Sequence, residues 1–196
     1  MDRKLLLAFI AISVLFLFNS CRDDMYIGRE RVIEKNVDNR PGWTVSIPSQ
    51  NNEYIYFRGE EIAFSSSGMK EAYQEALTKI RSFIDAQVKE SYNSIGDSVG
   101  NNKAIKLKEN FLEAVSQSIS TNAKEKEVYW EKIEKVTSDG VEYYYRVFSL
   151  VEIPVTVLKT ITGQAIDAQI NQAKEKNNEQ MYEELIKIEK EVKGLF

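Results

Sequence analysis

The stretch that decides the fold runs from Val128 to Pro154 and reads VYWEKIEKVTSDGVEYYYRVFSLVEIP. Aromatic and branched side chains dominate both of its arms, and such side chains favour β-strands. Ser138-Asp139-Gly140 lies between the arms, and an Asp-Gly pair flanked by two such runs is a strong signal for a tight turn. The stretch therefore predicts an antiparallel β-hairpin.

Both faces of the second arm carry apolar side chains. Successive residues of a strand point to opposite faces, so Tyr144, Phe148 and Leu150 share the face opposite Val147, Val151 and Ile153. If helices cover the second of these faces, then Tyr144, Phe148 and Leu150 pack under a helix end, a loop or a neighbouring subunit. We favour burial in the core, and the three residues are also the candidate interaction surface. If they form an interaction surface, polar substitutions of Tyr144 and Phe148 are expected to weaken assembly without unfolding the domain.

The elements before the hairpin are a strand and two amphipathic helices. The run Tyr54 to Phe57 predicts a strand, and Gly59 suits either its end or a close backbone approach. A first helix is predicted after Ser65-Ser66-Ser67, which offers an N-cap, because apolar residues recur at steps of three and four. They are Met69, Ala72, Tyr73, Ala76, Leu77, Ile80, Phe83, Ile84 and Val88. A second amphipathic helix is predicted through Ala104, Leu107, Phe111, Val115 and Ile119.

After the hairpin, Pro154 is well placed at the start of a helix that continues from Val155. Met181, Leu185, Ile188 and Val192 extend an apolar stripe, either in one long helix or in two helices broken near Asn177-Asn178. The predicted fold class is therefore α+β. A small, mainly antiparallel sheet is packed by a long amphipathic helix, with a second helix and a long C-terminal helix.

The N-terminus has the pattern of an export signal. Arg3 and Lys4 precede a run, Leu5 to Phe18, that is apolar except for Ser13 and is shorter than the about 20 residues of a spanning helix. Cys21, the only cysteine in the chain, follows at the place where bacterial lipoproteins carry their acylated cysteine, and Phe18-Asn19-Ser20-Cys21 resembles a lipobox. We therefore expect a lipoprotein signal peptide in residues 1–20 and lipidation, such as palmitate, on Cys21. The alternative is an ordinary secretory signal with an incidental cysteine.

With residues 1–20 as a signal peptide, the rest of the chain is predicted to have three parts. Residues 21–40 are polar and heavily charged and are expected to form a flexible tether with an r.m.s. reach of roughly 20 to 25 Å. Residues 41–154 form the α+β lipoprotein domain, and residues 155–196 form a C-terminal helical extension. Because Arg22 follows the cysteine in place of the familiar Asp, the outer membrane is the expected location, facing the periplasm or the cell surface.

Composition excludes several function classes. The chain contains no histidine and one cysteine, so Ser-His-Asp and Cys-His catalysis and His/Cys zinc sites are impossible once Cys21 carries lipid. Without Asp2, Arg3 and Lys4 of the signal, the 26 basic and 30 acidic residues become 24 and 29, so no basic nucleic-acid-binding footprint arises. No cofactor, metal or nucleic acid is expected.

One enzyme-like pattern is present. Ser67-Gly68-Met69-Lys70 fits S-x-x-K, Ser138-Asp139-Gly140 approaches S-D-N, and Lys159-Thr160 begins a K-T-G, in the order of the acyl-serine transferases. Two of the three elements are incomplete. The favoured interpretation is that Ser67 caps a helix and Asp139-Gly140 makes a turn.

Together these features resemble a known family, the Lpp-twenty-type membrane-associated lipoproteins. The resemblance rests on the lipobox, Pro41-x-Trp43, the aromatic strand ending in Gly59, the serine-led helix with Ala72 and Ala76, and the hairpin running into Val151-Glu152-Ile153-Pro154. It covers roughly Pro41 to Pro154. It implies an α+β unit related to the N-terminal module of some flagellar accessory proteins, with an envelope or appendage-associated role and no catalytic residues.

Two function classes remain open. The first is a lipid-anchored, non-enzymatic envelope protein that binds the membrane through Cys21 and interacts with envelope proteins or with itself. The second is an envelope small-ligand-binding protein or an enzyme built on carboxylates, Lys and Tyr, which would need those groups to converge in an apolar pocket.

Overall fold

The computed structural model describes residues 26–65 and 68–195, and within them the chain has an α+β fold built on a four-stranded antiparallel sheet. The order of the strands is β1-β3-β4-β2. The strands are β1 (Glu30–Lys35), β2 (Tyr54–Ala63), β3 (Lys124–Thr137) and β4 (Gly140–Pro154). The fold class predicted from the sequence is confirmed.

Five helices are found in the described residues. They are α1 (Gly68–Ser94), the single-turn α2 (Gly96–Val99), α3 (Asn101–Asn122), α4 (Val155–Glu175) and α5 (Glu179–Lys193). The C-terminal helix breaks near Asn177, whose φ of 50° lies in the left-handed region that ends helices. The Asn178 side chain then accepts a hydrogen bond from the Met181 amide and caps α5.

The predicted hairpin forms with a two-residue loop, Ser138 and Asp139, between β3 and β4. Gly140 follows with a φ of +136°, a conformation that side-chain-bearing residues rarely adopt. On its other side β4 pairs with β2, from Tyr54 opposite Pro154 to Ala63 opposite Tyr145. The second hairpin arm, β4, is therefore a central strand, with a hydrogen-bonded neighbour along each of its edges.

At Gly59 the backbones of β2 and α1 approach each other closely. A Cβ added there would stand 1.7 Å from the Ala72 carbonyl oxygen and 2.8 Å from the Ala76 amide nitrogen. Close backbone approach, one of the two roles expected for this glycine, is therefore its role. The other was wrong, because β2 continues past it to Ala63.

The larger core lies on one face of the sheet, beneath the helices. Its buried residues come from every long helix and from β2 and β4; they include Ile55, Ala76, Ile80, Ile84, Phe111, Val115, Val151, Ile153, Ile166 and Leu185. One polar chain crosses it: the Tyr92 hydroxyl donates to Gln169 Oε1 at 2.9 Å, and Gln169 Nε2 donates to the Leu107 carbonyl at 2.6 Å. These two hydrogen bonds connect α1, α3 and α4 and give the buried Tyr92 hydroxyl and Gln169 amide their partners.

The tether expected over residues 21–40 is corrected by the structure, because it contains β1. The Gly28 amide donates to the Val136 carbonyl at 2.7 Å, and the Val136 amide donates to the Arg29 carbonyl at 3.0 Å. Every residue of β1 is exposed, so no apolar face marks it in the sequence. Charged residues are the usual protection of an edge strand, and Arg31 pairs with Glu134 at 2.9 Å.

The chain divides into two compact units. We call the first the hairpin unit, whose described residues are 26–31 and 134–142. The second comprises Val32–Ile133 and Tyr143–Phe196 and holds the helices and both hydrophobic cores.

Candidate functional site

A short segment, residues 36–48, lies against the face of the sheet away from the helices; we call it the strap. The side chain of Asn36 fixes its start. Asn36 Nδ2 donates to the Val128 carbonyl at 2.9 Å, and Asn36 Oδ1 accepts from the Trp130 backbone amide at 3.0 Å. A 3-10 turn, Gly42–Thr44, then places Trp43 and Thr44 against the sheet. Val45 and Ile47 point to solvent.

Beneath the strap is a second, smaller hydrophobic core. Trp43 packs there with Tyr129, Phe148 and Leu150, and Tyr56 covers its margin. The rings of Tyr129 and Phe148 stack with centroids 6.1 Å apart.

The structure therefore corrects the prediction that Tyr144, Phe148 and Leu150 form an interaction surface. Tyr144, Phe148 and Leu150 are 7%, 1% and 1% exposed, so they are core residues of this chain and offer no surface to a partner. The favoured alternative, burial, is what the structure shows, and Trp43 of the strap packs against Phe148 and Leu150. Polar substitutions of Tyr144 and Phe148 would now be expected to unfold the domain.

A buried carboxylate, Glu131, lies at the edge of this second core. Arg146 pairs with Glu131 Oε1 at 3.1 Å, Arg40 of the strap lies 3.6 Å from the same oxygen, and the Tyr129 hydroxyl donates to Oε2 at 3.0 Å. Burial, and then the hydrogen bond to Glu131, raise the pKa of Tyr129. Two guanidinium groups and a hydroxyl thus satisfy the carboxylate, which favours a role in holding the strap.

Cationic and aromatic contacts complete the attachment of the strap. The Arg40 and Arg58 guanidinium groups lie 4.8 Å and 5.9 Å from the centroid of the Phe148 ring, within the range of cation–π attraction. Arg58 also donates to the Thr44 carbonyl, and Trp43 Nε1 donates to Glu127 Oε2 at 2.6 Å. These contacts join side chains that are remote in sequence, so no local motif predicts the contact between Arg40 and Glu131. The sequence feature that indicated a second core was the two-sided apolar pattern of β4.

On the helix side, Glu75 of α1 is tied to β2. Its carboxylate accepts a hydrogen bond from the Glu60 backbone amide and pairs with Lys79 at 2.9 Å. Burial raises the pKa of this carboxyl, but the amide hydrogen bond and Lys79 outweigh it, and the net pKa lies below its usual value. The group therefore supports the packing of α1 on the sheet.

The acyl-transferase pattern gains no support from the described residues. Ser67 lies outside them, as does Ser66, so the predicted N-cap is not described. Lys70 is exposed in the first turn of α1, and Asp139 is in the hairpin loop. The Thr160 hydroxyl donates to the Thr156 carbonyl of its own helix. Within the described ranges, no hydrogen bond joins the side chains of Lys70, Asp139 and Thr160 to one another.

A basic groove of about 360 Å³ lies between α3 and the C-terminal helices. Lys103, Lys106 and Lys176 line it, over a floor that includes Leu107, Ala173 and Met181, and no described carboxylate lines it. The three ammonium groups have no ion-pair partner among residues 26–65 and 68–195. Such a groove can hold a small anion with an apolar portion, and the amphipathic patterns of α3 and α4 gave no sign of it.

Comparisons with protein-family models, curated proteins and solved structures find no match to this chain. In the described part of the chain, no helix is long and apolar enough to cross a membrane. The same part has no group of three or more Asp, Glu, His or Cys side chains placed to hold a metal ion. Cys21, the predicted lipidation site, lies outside the described residues.

Proposed function

We propose that this chain is a lipid-anchored, non-enzymatic protein of the bacterial cell envelope with a structural or interaction role, either self-assembling or appendage-associated. The observation that carries the proposal is the position of Cys21, the only cysteine, directly after the apolar run Leu5 to Phe18 and Asn19-Ser20. The resemblance to the Lpp-twenty-type lipoproteins supports the same role. The outer membrane is the proposed location.

The chemistry of the described residues supports a non-enzymatic role. An active site built on carboxylates, Lys and Tyr needs groups that converge on a pocket and keep a free lone pair or proton there. Glu131 is instead enclosed by Arg40, Arg146 and Tyr129. Tyr92, which is also buried, donates a hydrogen bond from its hydroxyl to Gln169 within the helical core. These groups hold the fold.

The anchor is tested by mass spectrometry of the protein purified from membranes, with a Cys21→Ala variant beside it. The expected N-terminal residue is a Cys21 whose mass includes acyl chains, and the variant is expected to lose both the acyl mass and its place in the membrane fraction. Each buried methylene contributes about 0.8 kcal/mol, and a single acyl chain gives only marginal, reversible binding, so the loss of all chains should release the protein. Processing at another residue, or an unmodified Cys21, would contradict the proposal.

The structural role is tested separately, by extraction in mild detergent and measurement of the mass and composition of what travels with the protein. A defined assembly, of this chain alone or with other envelope proteins, is the expected result. A lipidated monomer without partners would contradict the structural role while leaving the anchor intact.

A second candidate function is the binding of a small anionic ligand, and the basic groove is the observation that favours it. Lys103, Lys106 and Lys176 surround an apolar floor, which suits a phosphorylated or carboxylated small molecule. The probes would be inorganic phosphate and glycerol phosphate, followed by chemical shift changes. Lys106→Gln should weaken binding, and Lys70→Gln, which alters an exposed lysine outside the groove, should not. Equal binding by the two variants would rule the candidate out.

A further inference from the structure

The distance between Cys21 and the described chain restricts where the hairpin unit can lie. An extended chain spans at most about 3.3–3.6 Å per residue, so Tyr26 is within roughly 18 Å of Cys21 and Gly28 within roughly 25 Å. Gly28 is bound to the hairpin through its amide, which donates to the Val136 carbonyl at 2.7 Å. If Cys21 carries lipid, the hairpin unit is therefore held close to the membrane surface. This step rests on the proposed anchor.

The hairpin unit exposes apolar side chains at this place. Tyr26 is 65% exposed, Ile27 is 71% exposed and Val141 is 44% exposed. Apolar surface left in water is unfavourable in proportion to its area. A bilayer interface accepts such side chains, and tyrosine is enriched there because its ring is apolar and its hydroxyl is polar.

The charges of the unit give no electrostatic attraction to anionic lipid. Its described residues include three basic side chains, Arg29, Arg31 and Lys135, against four acidic ones, Glu30, Glu134, Asp139 and Glu142. Four of these side chains form two ion pairs within the unit, Arg31 with Glu134 at 2.9 Å and Lys135 with Glu30 at 3.8 Å. Contact with a membrane would depend on apolar side chains and on the proximity that Cys21 imposes.

We propose that the hairpin unit rests on the bilayer, with Tyr26, Ile27 and Val141 in its interfacial layer. The partner is a lipid surface, and its headgroup charge is unimportant. The protein is then held against the membrane by two contacts, the acyl chains of Cys21 and this apolar surface.

The experiment uses the mature protein, purified from membranes and reconstituted into phosphatidylcholine vesicles. Val141→Cys carries an environment-sensitive NBD label, and Ile105→Cys, at a residue of similar exposure (50%) in the other unit, is the matched control. In the acylated protein the Cys21 sulfur is alkylated, so the label enters only at the new cysteine. Mass spectrometry reports acylation of each sample.

At position 141 we expect emission to shift to shorter wavelength and to be quenched by lipid with a spin label on its headgroup, with neither effect at position 105. About 1 M salt, which shortens the Debye length to about 3 Å, should leave the effect unchanged. Ile27→Glu in the Val141→Cys background should reduce it.

Three results would overturn the inference. Equal quenching at positions 141 and 105 in acylated protein would refute the surface and leave the anchor standing. An NBD emission shift that depends on protein concentration, without quenching by the spin-labelled lipid, would indicate that a second copy of this chain covers the surface instead of lipid. A mass without acyl chains would refute the anchor itself and this inference with it.

Discussion

Gly59→Ala is expected to destabilise the protein severely, because the new methyl group meets helix backbone. The added Cβ would lie 1.7 Å from the Ala72 carbonyl oxygen, where ordinary contact begins near 3.4 Å. Backbone atoms cannot move aside by changing rotamer. The N-terminal part of α1 would therefore have to retreat from β2 by roughly 1.7 Å, the difference between those two distances.

The cost follows from the space that such a movement opens. About 12 residues of helix span about 18 Å and are about 10 Å wide. A gap that tapers from 1.7 Å to zero over that area encloses roughly 150 Å³. At about 24 cal/mol per Å³ of cavity, the free energy of unfolding should fall by about 3–4 kcal/mol. That is a large part of the 5–15 kcal/mol typical of a folded protein.

The assay is urea unfolding followed by circular dichroism, with Gly42→Ala as the matched control. Gly42 also lies beside the sheet, but a Cβ there meets nothing within 4 Å, so its replacement should leave stability within about 1 kcal/mol of the parent. The midpoint should fall for Gly59→Ala with the denaturant slope unchanged. A loss below about 1 kcal/mol for Gly59→Ala would refute the reasoning that α1 and β2 are in backbone contact.

Three further outcomes are expected. Phe148→Ala should cost about 3–5 kcal/mol in urea unfolding, and Val45→Ala, at a strap residue 76% exposed, less than about 0.5 kcal/mol; similar losses would show that the strap does not seal a core. Tyr92→Phe removes the donor to Gln169 and should cost about 1–2 kcal/mol, a loss that should shrink in a Gln169→Ala background. Because the pKa of Glu75 is lowered in the folded state, its stabilisation is present above the ordinary value of 4.5 and is lost as pH falls through the lower folded pKa. Glu75→Gln should therefore lose less stability than the parent on acidification, and parallel pH profiles would contradict this.

The candidate site shows where sequence reasoning stopped. The two-sided apolar pattern of β4 indicated that another element packs against Phe148 and Leu150. A helix end, a loop and a neighbouring subunit were all compatible with that pattern. Arg40 and Glu131 meet only because the strap crosses the sheet, and the chain separation between them leaves no periodic signal. The lysine groove likewise depends on which faces of α3 and α4 come together.

The sequence by itself determined the hairpin around Asp139-Gly140 and the long helices, and it offered the break near Asn177 as one of two alternatives. These depend on neighbouring residues, whose side-chain spacing and backbone preferences act over a few positions. Tertiary structure alone decided that β1 is a strand and that the strap, rather than a second subunit, covers Phe148. Every residue of β1 is exposed, and its hydrogen bonds and ion pairs come from β3, about a hundred residues later. Such pairings stabilise a segment only after distant parts of the chain have met, so the segment's own residues need not reveal them.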